Sequence, residues 1–218
     1  MQNNIVMAKH ELASRGMYET VTFSFTDSNI AKYFRRGPEA VFIQNPIINE
    51  LDEMRPSLLP NLLIGAKNNI ARGYGNLALF EAAPEFFGRN PGEQRAMASG
   101  IRVGKTAKKD WTNSMRAYDV FDVKADALAV IAAAKGPIEA PQITTDAPSY
   151  YHPGRSGVIR LGKNVLAYFG ELHPAILKAL DIKTNVMAFE VFLDNIPLPR
   201  DAKSKAKKKL ELSPLQAV

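Results

Sequence analysis

The sequence predicts an α+β fold, in which an antiparallel β-sheet is flanked by a few helices that pack on one side of it. Short segments with alternating apolar residues are separated by tight turns, and strands joined by such turns pair antiparallel. Fewer segments carry apolar residues at helical spacing. The chain of 218 residues contains no internal repeat.

The first part of the chain begins with a helical pattern and continues with extended ones. Asn3 and Asn4 are suited to cap a helix, and Gly16 marks its end. Apolar and polar side chains then alternate from Tyr18 to Phe25, as in a half-buried strand. The predicted elements are a helix over residues 5–15, a strand over 18–25, a short helix over 27–34 and a strand over 40–43.

The clearest helical pattern follows Pro56. Leucines recur there at helical spacing, and Pro60 lies near the first turn, where proline is tolerated. Further on, Gly162, Lys163 and Asn164 form a credible hairpin turn. The predicted helices cover residues 57–72, 125–135 and 173–180, and the predicted strands cover 77–83, 85–87 after an interruption at Pro84, 95–103, 157–161, 165–170 and 186–193.

The composition excludes several classes of protein. Apolar residues make up 46% and charged residues 23% of the chain, as in ordinary globular proteins. No run approaches the roughly 18 apolar residues that span a bilayer, so we expect no membrane partner and no signal peptide. The absence of cysteine excludes disulfides, thiol catalysis and cysteine-bound zinc, and it fits a cytoplasmic protein.

The basic charge is concentrated near the C-terminus. Residues 200–209 contain six basic residues and one acidic residue, which supplies +5 of the net charge of +6. We interpret residues 199–218 as a solvated basic linker after a core domain of residues 1–198. The alternative is a segment that contacts RNA phosphates, and no DNA binding is expected. The candidate RNA contacts are Lys203, Lys205, Lys207, Lys208 and Lys209.

No set of residues in the sequence has the pattern of a catalytic site. There is no phosphate-binding glycine loop, no dinucleotide fingerprint and no zinc-protease motif, and no cofactor or metal is expected. His10, His152 and His173 are far apart in sequence, and we expect structural roles for them.

Two polar loop segments are unusual. In the first, Arg55 could hold the loop by bonding a carboxylate such as Glu50. The second is a predicted turn over residues 151–157, just before a strand. Two interpretations are open for both segments: a site for an anionic ligand, or hydrogen bonds that fix a loop rich in proline and glycine. The candidate residues are Asn45, Pro46, Glu50, Arg55, His152 and Arg155.

These segments carry a resemblance to a known family. The run NPI-x-x-E, MRPSLLPNLL, N-x-x-R and LFE, followed by HPGRSG, GELHP and FEVFLD, resembles the core of the bacterial-type phenylalanyl–tRNA synthetase β subunit. The order and spacing of the motifs cover nearly the whole chain. The resemblance implies a fold like that of class II aminoacyl-tRNA synthetases, followed by a linker toward an anticodon-binding domain of which almost nothing is present.

The resemblance also implies a role without catalysis. An active class II site resembles Arg-x-Glu on a strand, where arginine binds the ATP phosphates, whereas Leu79-Phe80-Glu81 stands here. The class's third motif, a glycine-rich stretch ending in arginine, is missing too. The implied role is assembly with the catalytic α subunit of a heterotetramer that uses ATP and Mg²⁺ to charge tRNA with phenylalanine.

The family places the α-subunit contact in the first motif, here the helix over residues 5–15 and the strand over 18–25, with the helix over 57–72 as a second candidate. The null hypothesis is that both helices pack on their own sheet. Two other roles remain as alternatives: tRNA-backbone contact by the basic tail, and a surviving small-molecule site that involves Arg55 or Arg155.

Overall fold

The computed structural model describes residues 2–37, 40–90, 92–107, 111, 115–136 and 141–197. Its helices are α1 (Gln2–Ser14), α2 (Ser28–Ala31), α3 (Leu59–Ala71), α4 (Val120–Ala133), α5 (Pro174–Ala179) and a 3₁₀ turn over Leu193–Asn195. Its strands are β1 (Tyr18–Glu19), β2 (Phe25–Thr26), β3 (Glu53–Met54), β4 (Leu77–Phe86), β5 (Gln94–Val103), β6 (Gln142–Thr144), β7 (Tyr151–Leu161), β8 (Asn164–Leu172) and β9 (Val186–Phe192).

Seven strands form the main sheet, in the order β1-β4-β5-β9-β8-β7-β6, and β2 pairs with β3 in a small second sheet. The pairings in the main sheet are antiparallel except for the parallel contact of β1 with β4. This architecture confirms the predicted α+β fold with an antiparallel sheet and flanking helices.

The helices cover both faces of the sheet, so the prediction that they pack on one side is wrong. Successive side chains of a strand point to opposite faces. On β9, Phe189 and Val191 accordingly join a core with α1 and α4. Ala188 and Phe192 join a second core, which contains α3 and α5. Because all seven residues of β9 are buried, each face needs its own layer of helices.

The starts of α4 and α5 are fixed by local hydrogen bonds. Asp119 caps α4: its carboxylate accepts from the backbone N of Phe121 and Asp122, while the carboxylate of Asp122 accepts from the backbone N of Asp119. His173 caps α5, and its Nδ1 accepts from the backbone N of Ala175 at 3.2 Å. His173 therefore has the structural role that its place before a proline indicated.

Several predicted strands differ in the structure. Residues 18–25 do not form one strand, because only Tyr18–Glu19 pairs with β4 and the chain then leaves the main sheet. Residues 40–43 contain only an isolated bridge from Phe42 to Glu53. Pro84 does not interrupt β4, which pairs with β5 along its whole length. Proline is tolerated there because β1 ends before it, so no neighbouring strand of the main sheet needs an N–H group from Pro84.

The predicted turn over residues 151–157 is part of β7. The strand pairs with β8 at Tyr151 and again from Ser156 onward, with an irregularity between them. At Gly157 a Cβ atom would lie 2.6 Å from Cζ of Phe169, so the ring occupies the space that a side chain would need. The short strand β6 was not predicted.

In the part of the chain that the structure describes, no helix combines the length and apolar character that crossing a membrane requires.

Candidate functional site

The sheet face that packs against α3 carries Leu79 and Glu81 of the LFE motif, whereas Phe80 belongs to the core on the opposite face. Leu79 lies in the apolar core beneath α3, where a Cβ atom at Gly65 would be 4.0 Å from its Cδ1. Glu81, two residues on, is buried on the same face. Its Oε1 accepts from Nη1 of Arg55 at 2.7 Å, and its Oε2 accepts from Oγ1 of Thr22 at 2.7 Å. Glu81 therefore belongs to an internal ion pair, whereas Leu79 on the same face makes an apolar contact.

Arg55 and Asn61 together hold residues 22–25 in an irregular conformation. Nε of Arg55 donates to the carbonyl oxygen of Pro84 at 3.0 Å. Nδ2 of Asn61 donates to the carbonyl oxygens of Phe23 at 2.9 Å and Phe25 at 3.2 Å. Because side chains satisfy these backbone groups, residues 22–24 need no strand partner, and pairing resumes at Phe25, opposite Met54 of β3.

A second polar cluster surrounds Glu190 in the middle of β9. Its Oε1 accepts from Oγ of Ser57 at 2.7 Å, and its Oε2 accepts from the hydroxyl groups of Tyr150 at 2.7 Å and Tyr151 at 3.4 Å. Nη1 of Arg36 lies 3.3 Å from Oε1 of Glu190. Burial raises the pKa of both tyrosines, so both hydroxyls remain protonated donors to Glu190.

Glu85 on β4 extends this cluster. We call Arg36, Glu85, Arg95 and Glu190 together the charged layer. Glu85 forms ion pairs with Arg36 and Arg95. Burial raises the pKa of Glu85, although both guanidinium groups oppose that shift. Burial disfavours the charge of Arg36, but Glu190 and Glu85 outweigh it and raise the pKa of Arg36. The face therefore contains buried carboxylates, each with an arginine partner.

The two predicted loop segments make local contacts. Arg55 pairs with Glu81 and not with Glu50, which is exposed. Asn45 and Pro46 line an apolar cavity. In the second segment, Nδ1 of His152 accepts from the backbone N of Gly154 at 3.1 Å, and Nη1 of Arg155 lies 2.7 Å from Oε2 of Glu171. These contacts are of the kind that fix loops.

The five candidate RNA-contact lysines, Lys203, Lys205, Lys207, Lys208 and Lys209, lie outside the described residues, as does the whole predicted linker over residues 199–218. Within the described residues, no group of three or more His, Asp or Glu side chains could hold a metal ion.

An exposed apolar surface lies beside the Arg55 and Asn61 contacts. We call it the apolar patch and define it as Val21, Phe23, Phe25, Ile47, Ile48 and Leu51. Val21 is 88% exposed and Ile47 is 91% exposed. Two adjoining cavities of about 410 and 250 Å³ share Phe23, Phe25 and Leu51 in their walls. No charged side chain of the described residues lines either cavity.

Arg36, Glu85, Arg95 and Glu190 were not predicted as site residues. The sequence did carry a signal for Glu190, since it is a charged residue inside an otherwise apolar strand of seven residues. Buried carboxylates need partners, so that pattern predicts a nearby cation or hydroxyl group. It does not say which one, because Ser57 is 133 positions away in sequence.

Solved structures with a similar fold are aminoacyl-tRNA synthetases. A pyrrolysyl tRNA synthetase from Desulfitobacterium hafniense superposes with a TM-score of 0.67 at 17% identity, covering 88% of this chain and 65% of that chain. A crystal structure of pyrrolysyl-tRNA synthetase from the same organism gives 0.64 at 14% identity, covering 87% and 67%. This likeness shows the fold alone, and the fold is that of a class II synthetase domain, as predicted.

The family is shown by the sequence. A model described as "Phenylalanyl tRNA synthetase beta chain CLM domain" matches residues 2–193, and the chain belongs to this family. The phenylalanine–tRNA ligase beta subunit of Rhodospirillum rubrum is 50% identical over 217 residues, which covers 100% of this chain and 27% of that protein. The subunit of Paramagnetospirillum magneticum is 45% identical, covering 95% and 26%. The chain thus spans about a quarter of the length of these relatives.

Proposed function

We propose that this chain is the non-catalytic core of a phenylalanine–tRNA ligase β subunit and that it supports assembly with the catalytic α subunit. The observation that carries the proposal is the apolar patch, an exposed surface without charged side chains beside a rigidly held segment. Exposed apolar surface of this kind is typical of protein interfaces.

The geometry around Leu79 supports the non-catalytic part of the proposal. A phosphate-binding arginine at this position would need access to a nucleotide, but Leu79 is buried beneath α3. The neighbouring carboxylate Glu81 is already paired with Arg55. In this role the chain binds neither ATP nor Mg²⁺, which act on the α subunit, and it works in the cytoplasm.

The structure favours one part of the expected interface over the others. Helix α3 buries Leu59, Leu62 and Leu63 against its own sheet, and α1 buries Ala8 and Leu12 in the same way. The segment after α1 differs from both helices, because its side chains Val21 and Phe23 are exposed. We therefore assign the α-subunit contact to the apolar patch.

Rigidity of the patch favours binding. The backbone carbonyl groups of Phe23 and Phe25 are bonded to Asn61, and Thr22 is bonded to Glu81. A surface that is ordered before binding loses less conformational entropy when the partner docks. Removing apolar area from water contributes about 25 cal/mol per Å².

Co-purification with a phenylalanine–tRNA ligase α subunit from the same source, at moderate and at high salt, tests the proposal. We expect a complex at both salt concentrations, because salt screens charge pairs far more than apolar contacts. Phe23→Glu should abolish it, whereas Phe121→Glu, on the exposed side of α4, should not. A folded chain that forms no complex at either salt concentration would disprove the assembly role.

Tail contact with the tRNA backbone is the second candidate, because residues 200–209 hold most of the net charge. Deleting residues 199–218 should then weaken tRNA binding and reduce its salt dependence, while leaving the α-subunit complex intact. If tRNA binding is unchanged by the deletion, the tail has no such role.

A further inference from the structure

A pocket of about 350 Å³ opens on the sheet face that carries Glu85 and Glu190, and none of its lining residues belongs to the apolar patch. Its walls combine cations with aromatic rings. They consist of Arg35, Arg36, Gly37, Pro56, Phe86, Phe87, Arg95, Tyr168 and Phe192. The volume lies within the range of small-molecule sites.

The charges of the pocket are arranged unevenly. Arg35, Arg36 and Arg95 line it, and no acidic side chain of the described residues does. Their partners Glu53, Glu85 and Glu190 are almost completely buried, with side-chain exposures of 1%, 1% and 0%. The side chains of Arg35, Arg36 and Arg95 are 26%, 12% and 30% exposed, respectively. Positive charge therefore faces the opening while the compensating negative charge lies behind it.

Donor groups remain free on these arginines. Arg95 uses Nε for Glu85, and neither of its Nη atoms has an acceptor among the described residues. Nε of Arg36 is buried and also lacks a hydrogen-bond partner in the described part of the chain. An unsatisfied buried donor costs about 1–3 kcal/mol, so an acceptor placed close to it is favoured.

The rings hold the guanidinium groups in place. The guanidinium carbon of Arg95 lies 5.4 Å from the ring centre of Phe87 and 4.7 Å from that of Phe192. That of Arg36 lies 5.1 Å from the ring centre of Phe192 and 5.8 Å from that of Tyr168. Stacking of this kind fixes a planar fork, which matches the two oxygens of a carboxylate.

We propose that this pocket binds a small carboxylate whose remaining part is apolar, such as an aryl-substituted short-chain acid, and that it rejects the corresponding amino acid. The two Nη atoms of Arg95, which have no acceptor among the described residues, take the carboxylate, and the rings contact the apolar part. An α-ammonium group finds no acidic partner in the described walls and is repelled by the three guanidinium groups. The site is thus selective against the kind of substrate that a synthetase activates.

Calorimetric titration of the 218-residue chain with a matched pair of ligands tests this proposal. 3-Phenylpropanoate and phenylalanine differ by the ammonium group, and 3-phenylpropanol is a neutral analogue. We expect saturable binding of the carboxylate and at least tenfold weaker binding of the other two. Equal binding of phenylalanine or of the alcohol would overturn the proposal, and so would tighter binding of inorganic phosphate than of the carboxylate.

Variants locate the binding without removing a buried charge partner. Gly37 has open space at its Cβ position, so Gly37→Phe should fill the pocket and abolish binding. Gly75 has the same open space away from the pocket, and Gly75→Phe should leave binding unchanged. Arg95→Lys keeps the charge beside Glu85 but lacks the fork, and we expect roughly threefold to tenfold weaker binding. Unchanged binding in folded Gly37→Phe would contradict the assignment. The outcome does not depend on α-subunit assembly.

Discussion

The two faces of the main sheet are filled in different ways. The face against α1 and α4 is an apolar core, beside which Asp126 binds Arg102 and Arg15. The face against α3 and α5 combines an apolar core with the buried carboxylates Glu81, Glu85 and Glu190. Buried ion pairs contribute little net stability compared with apolar packing, but breaking one of them is costly. The α3 face is therefore specific in its geometry and vulnerable to single substitutions.

This difference supports the proposed non-catalytic role. The resemblance to the family implies that Leu79 stands where an active class II site has arginine. On this face Arg36, Arg55 and Arg95 each pair with a carboxylate of the chain itself.

The largest effect is expected when Leu79 is replaced by arginine, the residue that the resemblance implies at this position of an active class II site. Leu79→Arg places a guanidinium group in the apolar core beneath α3, where the nearby carboxylate of Glu81 is already paired with Arg55. We expect a loss of more than about 4 kcal/mol in the free energy of unfolding, measured by urea denaturation. Leu161→Arg, at an exposed strand end, should change it by less than about 0.5 kcal/mol. Similar stability of both variants would contradict the packing described for Leu79.

Removing the central carboxylate tests the charged layer itself. Glu190→Ala leaves the guanidinium group of Arg36 and the hydroxyl groups of Tyr150 and Tyr151 without their shared acceptor. We expect a loss of about 3–5 kcal/mol by urea denaturation. The matched control is Glu19→Ala, which breaks an exposed pair with Lys9 and should cost less than about 1 kcal/mol.

A smaller effect is expected where a side chain replaces a strand partner. Asn61→Ala removes the donor to the carbonyl oxygens of Phe23 and Phe25, at a cost of about 1–3 kcal/mol. Hydrogen exchange of residues 22–25 should increase in the same variant. Asn68→Ala, at an exposed position of α3, serves as the control. No change in exchange would mean that Asn61 does not hold the segment.

The smallest expected effect concerns pH and lies on the other side of the sheet. The hydrogen bond from Arg116 lowers the pKa of Asp122 at the start of α4. A carboxyl group whose pKa is lower in the folded state stabilises the fold above its unfolded pKa, and this contribution disappears as pH falls. Asp122→Asn should therefore lose less stability than the parent chain between about pH 5 and pH 3. Equal losses would show that the pair with Arg116 contributes nothing in solution.

Sequence periodicity predicted the elements that depend on local pattern. The helix after Pro56 and the final strand are present with shifts of at most two residues at their ends. The hairpin around Gly162 is also present, although β7 begins six residues earlier than predicted. These elements bury a face with a regular period, and that period can be read directly from the sequence.

Residues 18–25 were predicted as one strand from the alternation of apolar and polar side chains, and the structure differs. Alternation describes which side chains share a face, but it does not supply a partner strand. Here Asn61 and Arg55 bind the backbone, and the apolar side chains point outward. The contacts of the charged layer could not be predicted from local sequence pattern either, because the interacting residues come from distant parts of the chain.

Exchange of pyrophosphate into ATP in the presence of phenylalanine distinguishes a structural α3 face, as we propose, from one that forms an aminoacyl adenylate. With the 218-residue chain alone, we predict exchange at the background rate, and a catalytic α subunit in complex with its β subunit serves as the positive control. Phenylalanine-dependent exchange by the chain alone would disprove a purely structural role for the α3 face.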